Sequence, residues 1–147
     1  MSGYLLDTSV ISLVGPDKPP LPREVTDWLR AHADALFVPI VAVAEIEQGI
    51  AKLRRAGGTA RADRLSTWLD GLTGGYDTRI LTLDTASART AGRLSDAVRA
   101  TGRHPGFADV AIAAIATAHD LVVLTRNVRH FGPLGVAHVD PIEALPD

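Results

Sequence analysis

Short apolar runs along this chain alternate with longer stretches in which apolar residues recur every three or four positions. The runs at 3–6, 36–38, 79–83, 121–124 and 136–139 have strand length and are bounded by turn residues. Between them the spacing predicts helices. A short one over 10–14 follows Asp7-Thr8-Ser9, which supplies N-cap chemistry, and Gly15-Pro16 ends it. The proline-rich segment 15–22 reads as a loop, and Pro22 opens a helix to about His32 with Val25, Trp28 and Leu29 inward. A long helix over 39–56 carries Val43, Ile46, Ile50 and Leu53 on one face, and Gly57-Gly58 stops it. The next, over 60–72, turns Leu65, Trp68, Leu69 and Leu72 inward before Gly74-Gly75. Asp84 caps a helix over 85–100 with Ala88, Ala91, Leu94 and Val98 inside. After a loop at 102–106, a nearly all-apolar helix spans 107–119, and 141–145 forms a terminal helical turn.

Strands alternating with helices predict an α/β sandwich: a parallel sheet with helices on both faces. Neither an internal repeat nor a linker is visible, so 1–147 reads as a single domain.

Composition narrows the class only slightly. The chain is 46% hydrophobic and 22% charged, as an ordinary globular protein is. It has no cysteine, which excludes a disulfide framework and a thiolate zinc site. The start Met1-Ser2-Gly3-Tyr4 lacks a basic region followed by a long apolar one, and no run approaches the roughly 20 residues a bilayer requires, so a cytoplasmic location is the expectation. A net charge of −2 does not announce nucleic-acid binding. Thirteen of the 15 basic residues are Arg, which suits bidentate phosphate contacts and equally reflects genome composition.

The chemistry lies in three isolated carboxylates. Asp7 ends Gly3-Tyr4-Leu5-Leu6, Glu45 interrupts the apolar approach from Phe37 to Ala44, and Asp109 opens the run from Val110 to Ala116. A buried carboxylate is unfavourable unless protonated, paired or bound to a metal. No Lys or Arg lies in those runs, so one shared pocket around a hard divalent cation is the simplest account. In a parallel sheet such pockets form at the carboxyl ends of the strands, where Asp7 falls. Each acid also has a structural explanation: Asp7 as a helix cap, Asp109 as first-turn decoration, Glu45 as a partner of Arg54 or Arg55. The hydroxyls of Thr8, Ser9 and Thr125 could orient the carboxylates, and Asn127 could add a neutral oxygen ligand or serve a turn.

The segments L-L-D-T-S-V-I-S at 5–12, A-V-A-E-I-E-Q-G at 42–49, F-A-D-V-A-I-A-A-I-A at 107–116 and L-T-R-N-V-R-H-F at 124–131 resemble the motifs of PIN-domain ribonucleases, in order and spacing. The nearest flavour is the VapC/FitB toxin type of type II toxin–antitoxin pairs. The resemblance implies a three-layer α/β/α PIN-like domain with a short, mostly parallel central sheet. It further implies an acidic pocket holding Mg²⁺ or Mn²⁺, endoribonuclease activity on RNA, a homodimer or toxin–antitoxin hetero-oligomer, and a VapB-like cognate antitoxin. The family's acids fall on Asp7, Glu45 and Asp109, and its hydroxyl positions on Thr8, Ser9 and Thr125. One departure stands out. Family members commonly carry a further acid in the last segment, where this chain has Asn127 and His130. That weakens a second metal site and leaves His130 either a local substitute or a surface histidine beside Phe131.

The mechanism this implies is in-line attack of water on phosphorus, assisted by one ion held by Asp7, Glu45 and Asp109. Arg126, Arg103 and His104 are the expected contacts to the RNA backbone. A different class of reading is a catalytically weakened PIN domain that mainly binds antitoxin or RNA. A phosphoaspartate protein fits worse, because Asp7 is followed by Thr8-Ser9 and neither Lys18 nor Lys52 is placed for a receiver. The helices at 39–56 and 60–72, with Trp28 and Trp68 nearby, leave apolar faces for a core, a dimer or an antitoxin.

Overall fold

The computed structural model describes residues 3–147. Met1 and Ser2, where the reading against a signal peptide begins, lie outside the described residues. Five strands form one sheet: β1 (Gly3–Leu6), β2 (Leu36–Pro39), β3 (Ile80–Leu81), β4 (Leu121–Leu124) and β5 (His138–Val139). All pairings are parallel and the spatial order is β3-β2-β1-β4-β5. The chain builds outward from β1 to one edge, then returns to the other side of β1. Strand order therefore reverses between β1 and β4, the place where parallel sheets open a crevice for ligands.

Side chains alternate across the sheet, so each strand feeds two cores. Leu5 and Val123 pack with Ala91, Val98, Ile112 and Ile115 on one face. Leu6, Val38 and Leu124 pack with Ile11, Ile46, Ile50 and Leu69 on the other. The first face is covered by α5 (Thr85–Arg99) and α6 (Phe107–Ala118), the second by α1 (Thr8–Ile11), α2 (Arg23–Ala31), α3 (Ile40–Arg55) and α4 (Thr59–Tyr76). These are the three layers the sequence predicts. Every residue of α6 from Val110 to Ala116 is buried, which explains its lack of a polar face.

Most boundaries fall where the sequence places them. The α3 stop is a glycine motif: Gly57 sits at φ +94, and the N–H groups of Gly57 and Gly58 donate to the carbonyls of Arg54 and Leu53. Gly74-Gly75, expected to end α4, does not. The helix runs through both to Tyr76, because Leu69, Leu72 and Tyr76 gain burial against the second core, and this outweighs a glycine penalty of about 1 kcal/mol each. The chain turns only at Asp77, at φ +42. In the first turn of α5 the inward residue is Ser87 rather than Ala88, since the Ser87 N–H and hydroxyl both donate to the Asp84 carboxylate. The segment after β4, read from sequence as a polar turn, contains a short helix α7 (Val128–Phe131) anchored by fully buried Phe131. The expected strand over 79–83 shortens to Ile80–Leu81, and that over 136–139 to His138–Val139. The segment after Asp140 makes one hydrogen-bonded turn, with the Ala144 N–H donating to the Asp140 carbonyl.

Two outcomes check this account. Leu5 is fully buried, so Leu5→Ala is expected to lower unfolding free energy by about 3 kcal/mol in a denaturant titration. The Asp84 carboxyl is held below the usual Asp range, chiefly by the Ser87 N–H and then by the Ser87 hydroxyl. A depressed value means this stabilisation is complete above the unfolded Asp value of about 3.9 and is lost as pH falls through the lower folded value. Asp84→Ala should therefore lower the Tm at neutral pH, and the gap to the parent should close in acid. A gap of constant size down to strong acid would show that the charged cap is not its source.

Candidate active site

The site begins where β1 and β4 end side by side. Leu6 is in register with Leu124, and the Asp7 N–H donates to the Leu124 carbonyl at 2.9 Å. The ladder thus delivers Asp7 and Thr125 to the same level of the crevice. Asp7 takes the N-cap position of α1, yet its carboxylate makes no capping bond. It is buried, and its Oδ2 accepts from the Ser9 hydroxyl at 2.7 Å and the Thr125 hydroxyl at 2.8 Å. Both donors serve the same oxygen; among the described residues none reaches Oδ1. The hydroxyls are held in turn. Ser9 Oγ accepts from the Arg126 N–H at 3.0 Å, and Thr125 Oγ1 from the Asn127 N–H at 2.8 Å. Asn127 therefore acts on the cluster through its backbone, while its exposed side chain makes no hydrogen bond among the described residues.

Asp109 enters from the first turn of α6, whose N-terminal dipole favours an anion. Its carboxyl is nonetheless pushed above the usual range, first by burial and then by the neighbouring negative charge of Asp7. His130, on α7, opposes that shift with its Nδ1 at 3.0 Å from Asp109 Oδ2. His130 is exposed, as the reading of a surface histidine expects, and its ring also faces the acid. Glu45 approaches from α3, half-buried, and its Oε1 accepts from the Thr8 hydroxyl at 2.6 Å. It pairs with neither Arg54, which binds Asp63 at 2.7 Å, nor, among the described residues, Arg55.

The expectation of three buried acids is therefore adjusted. Asp7 is buried, whereas Glu45 and Asp109 stand at the rim, because each lies where an apolar run meets solvent. Asp7 and Asp109 feel each other's charge, and Glu45 reaches the same corner through Thr8. Among the described residues, no three Asp, Glu, His or Cys side chains stand in a group that could hold an ion. What the site presents is an acidic pair, with a third carboxylate tied beside it by a hydroxyl.

The basic residues divide differently from the sequence reading. Arg126 is paired with Asp140, with Nε at 2.9 Å from Oδ2, and is not among the residues lining the cleft that holds Asp109. Arg103 and His104 do line a cleft that includes Asp109, together with Arg129 and His130. Arg129 was not singled out from sequence. Only the helical turn of α7 brings it beside Asp109, and a short polar stretch after a strand gives little sign of that turn.

Comparison with known proteins agrees with this architecture. The PIN domain family model matches residues 4–132. The chain is similar to the plasmid stability protein StbB of Pseudomonas syringae pv. tomato, with 35% identity over 95% of this chain and 99% of that protein. It is also similar to the VapC ribonuclease Y4jK of Sinorhizobium fredii, with 32% identity over 95% and 97%. The crystal structure of FitAcB from Neisseria gonorrhoeae superposes with a TM-score of 0.79 at 29% identity, over 94% of this chain and 97% of that one. DNA-bound VapBC from Salmonella typhimurium has the same fold, with a TM-score of 0.78 over 95% and 98% at 21% identity. By its fold, its sheet order and this match over most of its length, the chain belongs to the PIN-domain family.

Proposed function

We propose that the chain, as one PIN unit over 1–147, is a metal-dependent endoribonuclease that serves as the toxin of a toxin–antitoxin pair. The observation that carries this reading is the Asp7–Asp109 pair at the switch point of the sheet, in a chain 32% identical to a protein named a VapC ribonuclease. The donor set fits a hard divalent ion. It consists of carboxylate oxygens, and Asp7 Oδ1 has no donor among the described residues. Asp7, Asp109 and Glu45 are the residues that would hold Mg²⁺ or Mn²⁺. Such an ion supplies an acidified water and positive charge against the developing phosphorane. The chain's own part is positional. Ser9 and Thr125 fix the Asp7 carboxylate, Thr8 holds Glu45 at the rim, Arg103 and Arg129 bring positive charge to the phosphate path, and the His104 ring stands beside them.

The partner in this reading is a VapB-like antitoxin, assembled with the toxin as a homodimer or hetero-oligomer. A groove beside Glu45 suits such a segment: Ile50, Leu65 and Trp68 line it, with Lys18, Lys52 and Arg61 along it. No helix among the described residues is long and apolar enough to cross a membrane.

One observation favours a second reading. His130 stands against Asp109 in the segment where the resemblance implies a further acid, and among the described residues no three-acid group is assembled. A catalytically weakened domain that binds antitoxin or RNA would look like this. Calorimetric titration with Mn²⁺ separates the two, since a weakened site takes up no ion and shows no cation-dependent cleavage.

Asp7→Asn and Asp109→Asn are each expected to abolish Mg²⁺- or Mn²⁺-dependent RNA cleavage and growth inhibition, with an unchanged circular dichroism spectrum. Cleavage at the parent rate by both variants would defeat the mechanism. Thr125→Val keeps the shape but removes the buried hydroxyl that donates to Asp7 and accepts from Asn127. It is expected to reduce stability by about 1–3 kcal/mol and to weaken Mn²⁺ binding, whereas Thr125→Ser restores both. Equal Mn²⁺ affinity in parent and Thr125→Val would remove the positioning role.

A further inference from the structure

Arg126 lies just past the end of β4, and Asp140 just past the end of β5. The Arg126 Nε–H donates to Asp140 Oδ2 at 2.9 Å. The other arginine–carboxylate pairs among the described residues join well-exposed side chains, whereas the Asp140 side chain is only 9% exposed. Its second oxygen is occupied as well. Oδ1 accepts from the Ile142 N–H at 3.0 Å, and the Asp140 carbonyl accepts from the N–H groups of Glu143 and Ala144. Pro141 beside it is fully buried. Asp140 is thus a fixed post, and Arg126 is tied to it. The backbone N–H of the same arginine donates to Ser9 Oγ at 3.0 Å, and the next N–H, of Asn127, to Thr125 Oγ1 at 2.8 Å. Each hydroxyl has one proton to give, and the two oxygens lie 3.4 Å apart, close enough to bond each other instead. An N–H donor on each oxygen fixes the direction of a lone pair, and both protons point at Asp7 Oδ2, at 2.7 and 2.8 Å.

We propose that Arg126 and Asp140 are positioning residues for the acid corner: their pair holds residues 125–127 so that Ser9 and Thr125 both donate to one oxygen of Asp7 and leave the other open. Neither residue touches an ion or a substrate; both act through the two hydroxyls. The pair is neutral as a unit, so it adds little attraction for phosphate and leaves the negative charge of the corner in place. Its effect on the backbone stands by itself, and its effect on a bound ion rests on the metal-dependent reading above. Groups that orient a ligand carboxylate change metal affinity by roughly 10- to 100-fold when removed.

The test takes the full chain first in EDTA and then with Mn²⁺. In EDTA, amide hydrogen exchange followed by NMR is expected to show the Arg126 and Asn127 N–H groups of Asp140→Asn exchanging about tenfold faster than in the parent, with Ile112 and Ile115 of α6 unchanged. Asn127 exchange in Arg126→Met reads the same link should Asp140→Asn not fold, since the Arg126 side chain is 39% exposed. With EDTA removed, calorimetry is expected to show Mn²⁺ bound about tenfold more weakly by Arg126→Met and by Asp140→Asn, and no more weakly by the double variant. Arg126→Lys, which keeps a cation for Asp140, is expected to recover most of the loss. Parent-like exchange at Asn127 in the variants overturns the inference. So does parent-like Mn²⁺ affinity in both single variants, because the pair then only joins β4 to the turn after β5. Weaker binding of an RNA oligonucleotide by Arg126→Met in EDTA, with Mn²⁺ affinity intact, also overturns it and returns Arg126 to the phosphate path. A parent that takes up no Mn²⁺ removes the metal-dependent reading, and the exchange rates then decide the positioning role by themselves.

Discussion

The Asp7 carboxylate is the point on which the rest of the site depends. It is buried at the end of the central strand, and no arginine or lysine neutralises it among the described residues. Two hydroxyls on one oxygen, from Ser9 on α1 and Thr125 after β4, are what make that burial tolerable. The same bonds lock the ends of β1 and β4 together beyond the last rungs of the sheet. Stability and chemistry are therefore joined at this corner. The group most costly to bury is also the one most sharply oriented, with its other oxygen left for a ligand.

Around this fixed acid the remaining groups are held more loosely, and in a graded way. Asp109 is carried by a helix buried from Val110 to Ala116, so its backbone is fixed, but its carboxyl is shared between repulsion from Asp7 and attraction to His130. Glu45 sits on a partly exposed helix face and is retained by one hydroxyl. In the proposed reading, any gathering of the three around one ion would begin with rotation of the two rim side chains, since Asp7 is already held by two hydroxyls. Rotamer changes of exposed side chains are small and fast compared with backbone motion.

The sequence already contained most of the architecture, for identifiable reasons. Strand and helix periods differ enough that Leu121–Leu124 and the face through Ile46 and Ile50 are separable by inspection, and Gly57 stops a helix wherever it can adopt a positive φ. Gly74-Gly75 misled because propensity is local, while the burial of Tyr76 is not. The three acids were legible as polar residues in apolar surroundings. Their partners were not, because the contacts of Asp7 with Thr125 and of Asp109 with His130 span 118 and 21 positions. The pairing of Arg126 with Asp140, 14 positions on, was hidden for the same reason, whereas the exposure of Phe107 follows from its place as the first residue of α6.

The separation of Asp7 from Thr125 also bears on when the corner can form during synthesis. A growing polypeptide emerges N-terminal end first, and β1 leaves the ribosome early with its acid. The neighbour that completes the pocket is not translated until residue 125, so the nascent protein passes most of its elongation with half a crevice. If this corner is the RNA-cutting centre proposed above, it would stay incomplete beside the ribosome's own RNA until the sheet closes around β1.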